Sequence, residues 1–370
     1  MRIKLLRELQ IFSLITALHF PALALFTHFS QVIANGPVEW KNWCRWDCEL
    51  YVDLLSQYKP SAFFPAWPIL GDCFRRGLKI FSTTSFPDGF YLITLSILFS
   101  LISARLILSL PARLDISLRD PKASPRFLGF SLHAWIFLVL LKTYPSSFFW
   151  LAGYSEPLFC LLLCLGLYFY FQNRMLSFLF FGLTAIVRPQ GIWVVGLLGL
   201  FTLYEVWTQR KKTYALKPLQ VFVECVLMSL PFLIYCAWLR VQTGNPIYFM
   251  EAQKKWGHQW SLERWVSCHI PLFRFDFFIL AFSWYTAYRF RNRSVLYRFL
   301  AILGVVSAEL PLMLTGWISW SRYQSLNLAA FLALAEICEE SPMLLIPTLA
   351  YFIPNLAIKI SAFATGAWEG

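Results

Sequence analysis

The sequence predicts an all-α polytopic membrane protein. The expected architecture is one bundle of about 11 transmembrane helices forming a single domain over 1–370, with an external amphipathic first loop at 35–87. Three observations predict it. Apolar residues make up 58% of the chain and charged residues 14%, against about 45–50% and about 25% in soluble domains. The apolar residues fall in long uncharged runs, and a helix needs about 20 such residues to cross a bilayer. The basic residues recur in alternate short connections, as they do at cytoplasmic faces. The net charge of +12 therefore reflects topology, and no nucleic-acid partner is expected.

The elements follow in order. Arg2, Lys4 and Arg7 precede an apolar run, 9–34, read as the first span with its N-terminus inside. It is longer than a signal-peptide core and shows no small-residue cleavage site. His19 and His28 within it are read as bundle-facing and hydrogen-bonded, a functional role being the alternative. Further spans are expected at 88–110 and 127–143, then from near Glu156 to Phe171, then at 175–187, 191–208, 219–239, 268–288, 296–314, from Arg322 to Glu336, and at 343–361. The connections 111–126, with Arg113, Arg119, Lys122 and Arg126, and 209–217, with Arg210, Lys211, Lys212 and Lys217, read as cytoplasmic. So does 289–298, with Arg289, Arg291, Arg293 and Arg298. Cys160, Cys164, Cys225, Cys236 and Cys338 lie in apolar runs and are expected in the core. No zinc spacing is present, and no metal or other cofactor is expected. Nucleotide-binding and hydrolase motifs are absent, and no stretch is long enough for a soluble nucleotide-sugar domain.

The most polar stretch, WCRWDCELYVDLLSQYKPSAFFPAWPIL from Trp43 to Leu70, is also crowded with aromatics and prolines. If 45–57 is helical, Asp47 and Tyr51 share one face and Glu49 and Asp53 another. Pro65 and Pro68 argue against a regular helix through AFFPAWP, so an interfacial amphipathic helix is expected only over 69–82. Its cations Arg75, Arg76 and Lys79 are expected to face lipid or donor phosphates. Cys44 and Cys48 flank Asp47 on the external side. A bridge is permitted there without being required, and two thiols are the expectation.

This stretch resembles the PIG-V family, the second mannosyltransferases of GPI-anchor assembly and their bacterial relatives. The residues that carry the resemblance are Arg45, Trp46 and Asp47, then Ala62, Phe63, Phe64, Pro65 and Pro68, with Ile69 where Leu is usual. Further matches are Tyr154, Ser155 and Glu156 after P-S-S-F-F, and Arg188, Pro189 and Gly191 after the fifth span. Gly244, Pro246, Phe249, Gln253 and Trp256, and Arg322 with Tyr323, complete the set. The resemblance thus covers most of the chain. It implies a GT-C fold and transfer of mannose, with inversion, from a polyprenyl-phosphate sugar to a hydroxyl on a lipid- or glycan-linked acceptor. Donor, acceptor and membrane lipids are the expected partners. The chain is shorter than the eukaryotic members, which implies a bacterial inner membrane and a periplasmic site; an endoplasmic reticulum membrane with a luminal site is the alternative.

The chemistry asks for few groups. A carboxylate must take the proton of the attacking hydroxyl, and cations must meet the leaving phosphate. Asp47 is the expected base; a structural pairing with Arg45, or a charge at a helix N-terminus, is the other reading. Arg188, Arg322, Lys254 and Lys255 are the expected phosphate partners, with a snorkelling role as the alternative for Arg188. Glu156 is either a ligand group or a helix N-terminal charge. Arg45, Trp46, Glu49, Tyr154, Gln253, Trp256, His258 and Tyr323 complete the expected substrate site, although a loop histidine such as His258 is often uninvolved. Asp47 and at least one of Arg188 and Arg322 are expected to line one cavity, with Phe63, Phe64 and Trp67 near its lipid-side wall. A glycolipid transporter or flippase, or a GT-C-like subunit without activity, remains the other class of function; no inverted repeat favours the former.

Overall fold

The computed structural model describes residues 2–34, 43–81, 86–114, 126–209, 218–269, 275–316 and 319–367. The expected basic connections at Arg119, Lys122, Arg210, Lys211, Lys212 and Lys217 lie outside the described residues. The chain is a bundle of helices. In order these are α1 (Arg2–Ala34), α2 (Asp47–Leu55), α3 (Ala66–Phe81), α4 (Asp88–Ile107), α5 (Leu110–Leu114), α6 (Leu132–Thr143), α7 (Glu156–Phe169), α8 (Arg174–Thr184) and α9 (Pro189–Gln209). They continue as α10 (Pro218–Thr243), α11 (Tyr248–Lys254), α12 (Leu262–His269), α13 (Phe275–Arg289), α14 (Val295–Thr315), α15 (Trp320–Gln324), α16 (Leu328–Glu340) and α17 (Leu345–Ala364).

Five helices among the described residues are long and apolar enough to cross a membrane: Asp88–Ile107, Pro189–Trp207, Leu219–Thr243, Val295–Thr315 and Pro342–Ala364. Their burial separates inner from outer helices. The window in α14 is 61% buried, that in α4 50%, and that in α10 only 17%. Leu219, Phe222, Leu233, Ile234 and Val241 of α10 stay exposed, an apolar face that belongs against lipid. α7 is apolar all round, as a helix at the centre of a bundle is, and packs between α4 and α8.

Where single spans were expected at 127–143, 156–171 and 175–187, the helices are shorter: α6, α7 and α8 have 12, 14 and 11 residues. At 1.5 Å per residue none covers a hydrocarbon core of about 30 Å. Span three starts instead with an antiparallel hairpin, Arg126–Phe127 against Phe130–Ser131, turned by Leu128 and Gly129 at positive φ. Ser131 then caps α6 by accepting from the Ala134 N–H. Between α6 and α7 the chain runs through a 3₁₀ turn, Ser147–Trp150, and between α8 and α9 through a turn at 185–188. Irregular backbone of this kind is tolerated at membrane depth where it is buried in protein or lines a cavity.

The stretch after residue 43 departs from expectation in three ways. Cys44 and Cys48 form a disulfide rather than two thiols. The Cys48 N–H bonds back to Arg45 O at 3.1 Å, and this turn brings the two Cα atoms to 4.9 Å, within bridging range. Helix α3 begins at Ala66 and includes Pro68, which is tolerated in a first turn because that N–H has no intrahelical partner anyway. Arg75 does not face lipid phosphate. It binds Asp72 Oδ1 at 2.6 Å and Asp88 Oδ2 at 3.1 Å, tying α3 to the start of α4. Of the expected core cysteines, Cys160, Cys164 and Cys338 are buried, but Cys225 and Cys236 sit half-exposed on the outer face of α10.

Candidate functional site

Asp47 is the first residue of α2. The helix buries Cys48, Tyr51 and Leu55, a stripe at helical spacing, and keeps Asp47 at its N-terminus, where a carboxylate suits the helix dipole. The residue before it, Trp46, has a φ of 56°. Ser319, just before α15, has a φ of 60°. These are two of the three non-glycine residues with positive φ among the described residues, and both line the same cavity. Such conformations cost on the order of 1–3 kcal/mol each and persist where the surroundings impose them.

The cavity holds about 480 Å³. Its charged floor comes from four elements. Glu156 opens α7 and is fully buried, while Arg188 precedes α9 and Arg322 lies in α15, each only 5% exposed. Arg322 Nη1 donates to Asp47 Oδ2 at 2.5 Å and its Nε to Glu156 Oε1. Arg188 Nη1 meets the same Glu156 Oε1 at 2.5 Å, and its Nε donates to Gln190 Oε1 at 2.8 Å. Two carboxylates thus balance two guanidiniums, the condition under which buried charges are tolerated. Arg322 also lies over the Tyr154 ring at 4.4 Å. No hydrogen bond engages the Nη2 of either arginine among the described residues, and the buried Glu156 Oε2 and Gln190 Nε2 also lack partners. Unpaired polar atoms beside a cavity are places for a ligand group.

The position of Arg188 depends on Gly191. A Cβ built there would lie 2.0 Å from Thr184 O, so only glycine lets the start of α9 pack on the end of α8. Pro189 at the first helical position of α9 needs no N–H partner. The cavity's other wall is aromatic. Phe63 packs edge-on to Tyr51 at 4.9 Å and to Trp256 at 5.6 Å. Gln253 Nε2 donates to Ala62 O at 2.9 Å, which pins α11 to the AFFP stretch. His258 Nδ1 meets Gln253 Oε1. Burial pushes the His258 pKa below its usual value, the charge of Asp47 opposing this and Arg264 adding to it.

The structure brings Trp46, Asp47, Arg188, Gln253, Trp256, His258, Arg322 and Tyr323 together around one cavity, with Phe63 and Phe64 in its wall. Glu156 lies beneath it, bound to both arginines. Other expected residues fall elsewhere. Glu49 is exposed on the far side of α2, because it is two residues from Asp47 on a helix. Lys254 and Lys255 are exposed at the end of α11 and do not line the cavity. Tyr154 is buried and donates to Arg45 O at 3.0 Å, so it and the Arg45 backbone brace the Asp47 turn. Trp67 is buried and donates to Gly153 O at 2.9 Å instead of facing the cavity. Three contributors were not among the expected site residues. Tyr51 donates to Ser155 Oγ at 3.1 Å, Ser155 accepts from Arg188 at 3.3 Å, and Gln190 holds Arg188. Tyr51, four residues after Asp47, carried a signal in its shared helix face, and Ser155 in its place between Tyr154 and Glu156.

No protein-family model matches the chain, and no curated protein matches it. Among solved structures it is similar to the Archaeoglobus fulgidus oligosaccharyltransferase in the apo form. The identity is 14% over 95% of this chain and 56% of that one, with a TM-score of 0.51. Against the same enzyme tethered with an acceptor peptide containing the NVT sequon via a disulfide bond, identity is 12% over the same shares, with a TM-score of 0.48. The chain thus spans little more than half of that enzyme's length. The first likeness shows the fold alone: the helical bundle of this chain is similar to that part of the archaeal enzyme.

Proposed function

We propose that this protein is an integral-membrane glycosyltransferase of the PIG-V kind, a single domain of about 11 membrane segments. It moves a sugar, mannose by the resemblance, from a polyprenyl phosphate to a hydroxyl of a lipid- or glycan-linked acceptor, with inversion. The site opens on the external face, periplasmic in a bacterial inner membrane. One observation carries the reading: a carboxylate, Asp47, and two guanidiniums, Arg188 and Arg322, face a single cavity walled by aromatics.

The acceptor oxygen attacks the anomeric carbon as the bond from that carbon to the phosphate oxygen breaks. The hydroxyl proton goes to Asp47. Arg322 occupies Oδ2 of this carboxylate, which leaves Oδ1 to take the proton. The departing lipid phosphate gains charge, and the Nη2 groups of Arg188 and Arg322 are the donors left to meet it. The aromatic wall of Phe63, Phe64 and Trp256 offers apolar faces for the sugar ring and the first isoprene units.

The test is incubation of purified protein with radiolabelled polyprenyl-phosphate mannose and a cell lipid extract. A labelled glycolipid is expected. Asp47→Asn keeps the shape but removes the base, and turnover is expected to fall on the order of 10²–10⁴-fold while the protein still folds. Uptake of substrate into sealed vesicles with no glycosidic product would assign the chain to transport instead.

A further inference from the structure

A second cavity of about 500 Å³ lies between α9, α13 and α14, and shares no lining residue with the first. It is lined by Leu197, Leu200, Phe201, Tyr204, Ala287, Arg291, Arg298 and Ile302. The first cavity sits where α9 starts and α14 has ended. This one sits towards the opposite ends of both helices, and from Pro189 to Tyr204 is about 22 Å at 1.5 Å per residue.

Several other arginines at this end of the bundle are paired with carboxylates. Arg174 is neutralised by Glu205 and Glu224, and Arg289 by Glu336 and Glu340. Arg293 pairs with Glu336. Arg291 has no carboxylate partner among the described residues: its guanidinium lies over the Tyr288 ring at 3.8 Å and donates to the Tyr288 carbonyl at 2.7 Å. Arg298 has no side-chain partner among the described residues, and its buried Nε is unsatisfied. Among the described residues no acidic side chain lines the cavity. Two cations without a carboxylate partner among the described residues, Arg298 on α14 and Arg291 just after α13, therefore face a groove whose other walls are largely apolar, and α9 and α14 are long enough to span.

The aromatic residues give the depth. Tyr204 is 49% exposed and Trp207 70% exposed near the end of α9, as in the aromatic belt at a membrane–water interface. Leu200 and Leu197 then lie deeper, one turn at a time. We infer that this groove is a binding site for an anionic phospholipid, its headgroup phosphate held by Arg291 and Arg298 and one acyl chain laid along Leu197, Leu200, Phe201 and Ile302. The charge selects the headgroup, and the apolar strip requires the chain. A free phosphate satisfies only the first demand, and a zwitterionic lipid places a choline against the cations.

The experiment is native mass spectrometry of the delipidated full chain, with dioleoyl phosphatidylglycerol and dioleoyl phosphatidylcholine supplied in competition. Preferential retention of phosphatidylglycerol is expected. Arg291→Gln with Arg298→Gln should weaken its binding by roughly 30-fold, taking about 1 kcal/mol for each arginine at an anionic surface. Arg291→Lys with Arg298→Lys should retain most of it, which guards against a folding defect in the glutamine variant. Equal retention of the two lipids would overturn the inference. So would loss of phosphatidylglycerol to inorganic phosphate at equal concentration, or a preference of this site for polyprenyl phosphate.

Discussion

Glu156→Gln tests the charge balance on which the cavity floor stands. Glu156 is fully buried, and one of its oxygens serves both Arg188 and Arg322. At an effective dielectric of about 20, each such contact carries an attraction of about 4 kcal/mol before desolvation is counted. The glutamine amide keeps the shape and one acceptor but removes the charge. Arg322 then retains Asp47 at 2.5 Å, whereas Arg188 retains only the neutral Gln190 and Ser155. Breaking a buried pair by neutralising one partner costs about 3–5 kcal/mol. The measurement is unfolding of the purified protein in detergent, followed by its tryptophan fluorescence, beside turnover. Asp47→Asn is the comparison: Arg322 keeps Glu156 in that variant and the Asp47 side chain is 14% exposed, so its loss of stability is expected to be smaller. Glu156→Gln unfolding like wild type, or losing less stability than Asp47→Asn, would refute the claim that Glu156 holds the two arginines.

Gly191→Ala is expected to destabilise by about 1–3 kcal/mol and to lower turnover by moving Arg188, because its Cβ meets the Thr184 backbone at 2.0 Å. Gly196→Ala on the same helix meets nothing within 4 Å and should be neutral or slightly stabilising, so unfolding curves that rank the two equally would discount the clash. Turnover is expected to persist in excess EDTA, since Arg188 and Arg322 stand where a leaving phosphate needs cations; collapse that Mg²⁺ or Mn²⁺ restores would place a metal in the reaction. The lowered pKa of His258 means that below about 6.5 the unfolded chain binds the proton more readily than the folded one, so this residue's share of stability is lost as pH falls. His258→Gln should flatten the acid limb of stability against pH, and an unchanged limb would remove the histidine as its source.

The sequence by itself determined the membrane class, because apolar run length and charge placement are properties of a chain that need no partner. It also marked Asp47, Glu156, Arg188 and Arg322 as polar groups out of keeping with their surroundings. Which of them touch was decided only by tertiary structure. Arg322 lies 275 residues from Asp47 and 166 from Glu156, and no helical period reports on pairs so far apart. The same limit explains the misplacements. Tyr154 and Trp67 read as aromatic site residues, but each is turned into the protein by a backbone carbonyl that accepts its polar hydrogen. One helix start was hidden for a different reason. The expected limits at 143 and near Glu156 agree with α6 and α7, but 127–131 reads as the start of a span and instead forms a hairpin, Arg126–Phe127 against Phe130–Ser131. Composition records how much a segment prefers lipid to water. It does not record where the backbone turns before a helix begins.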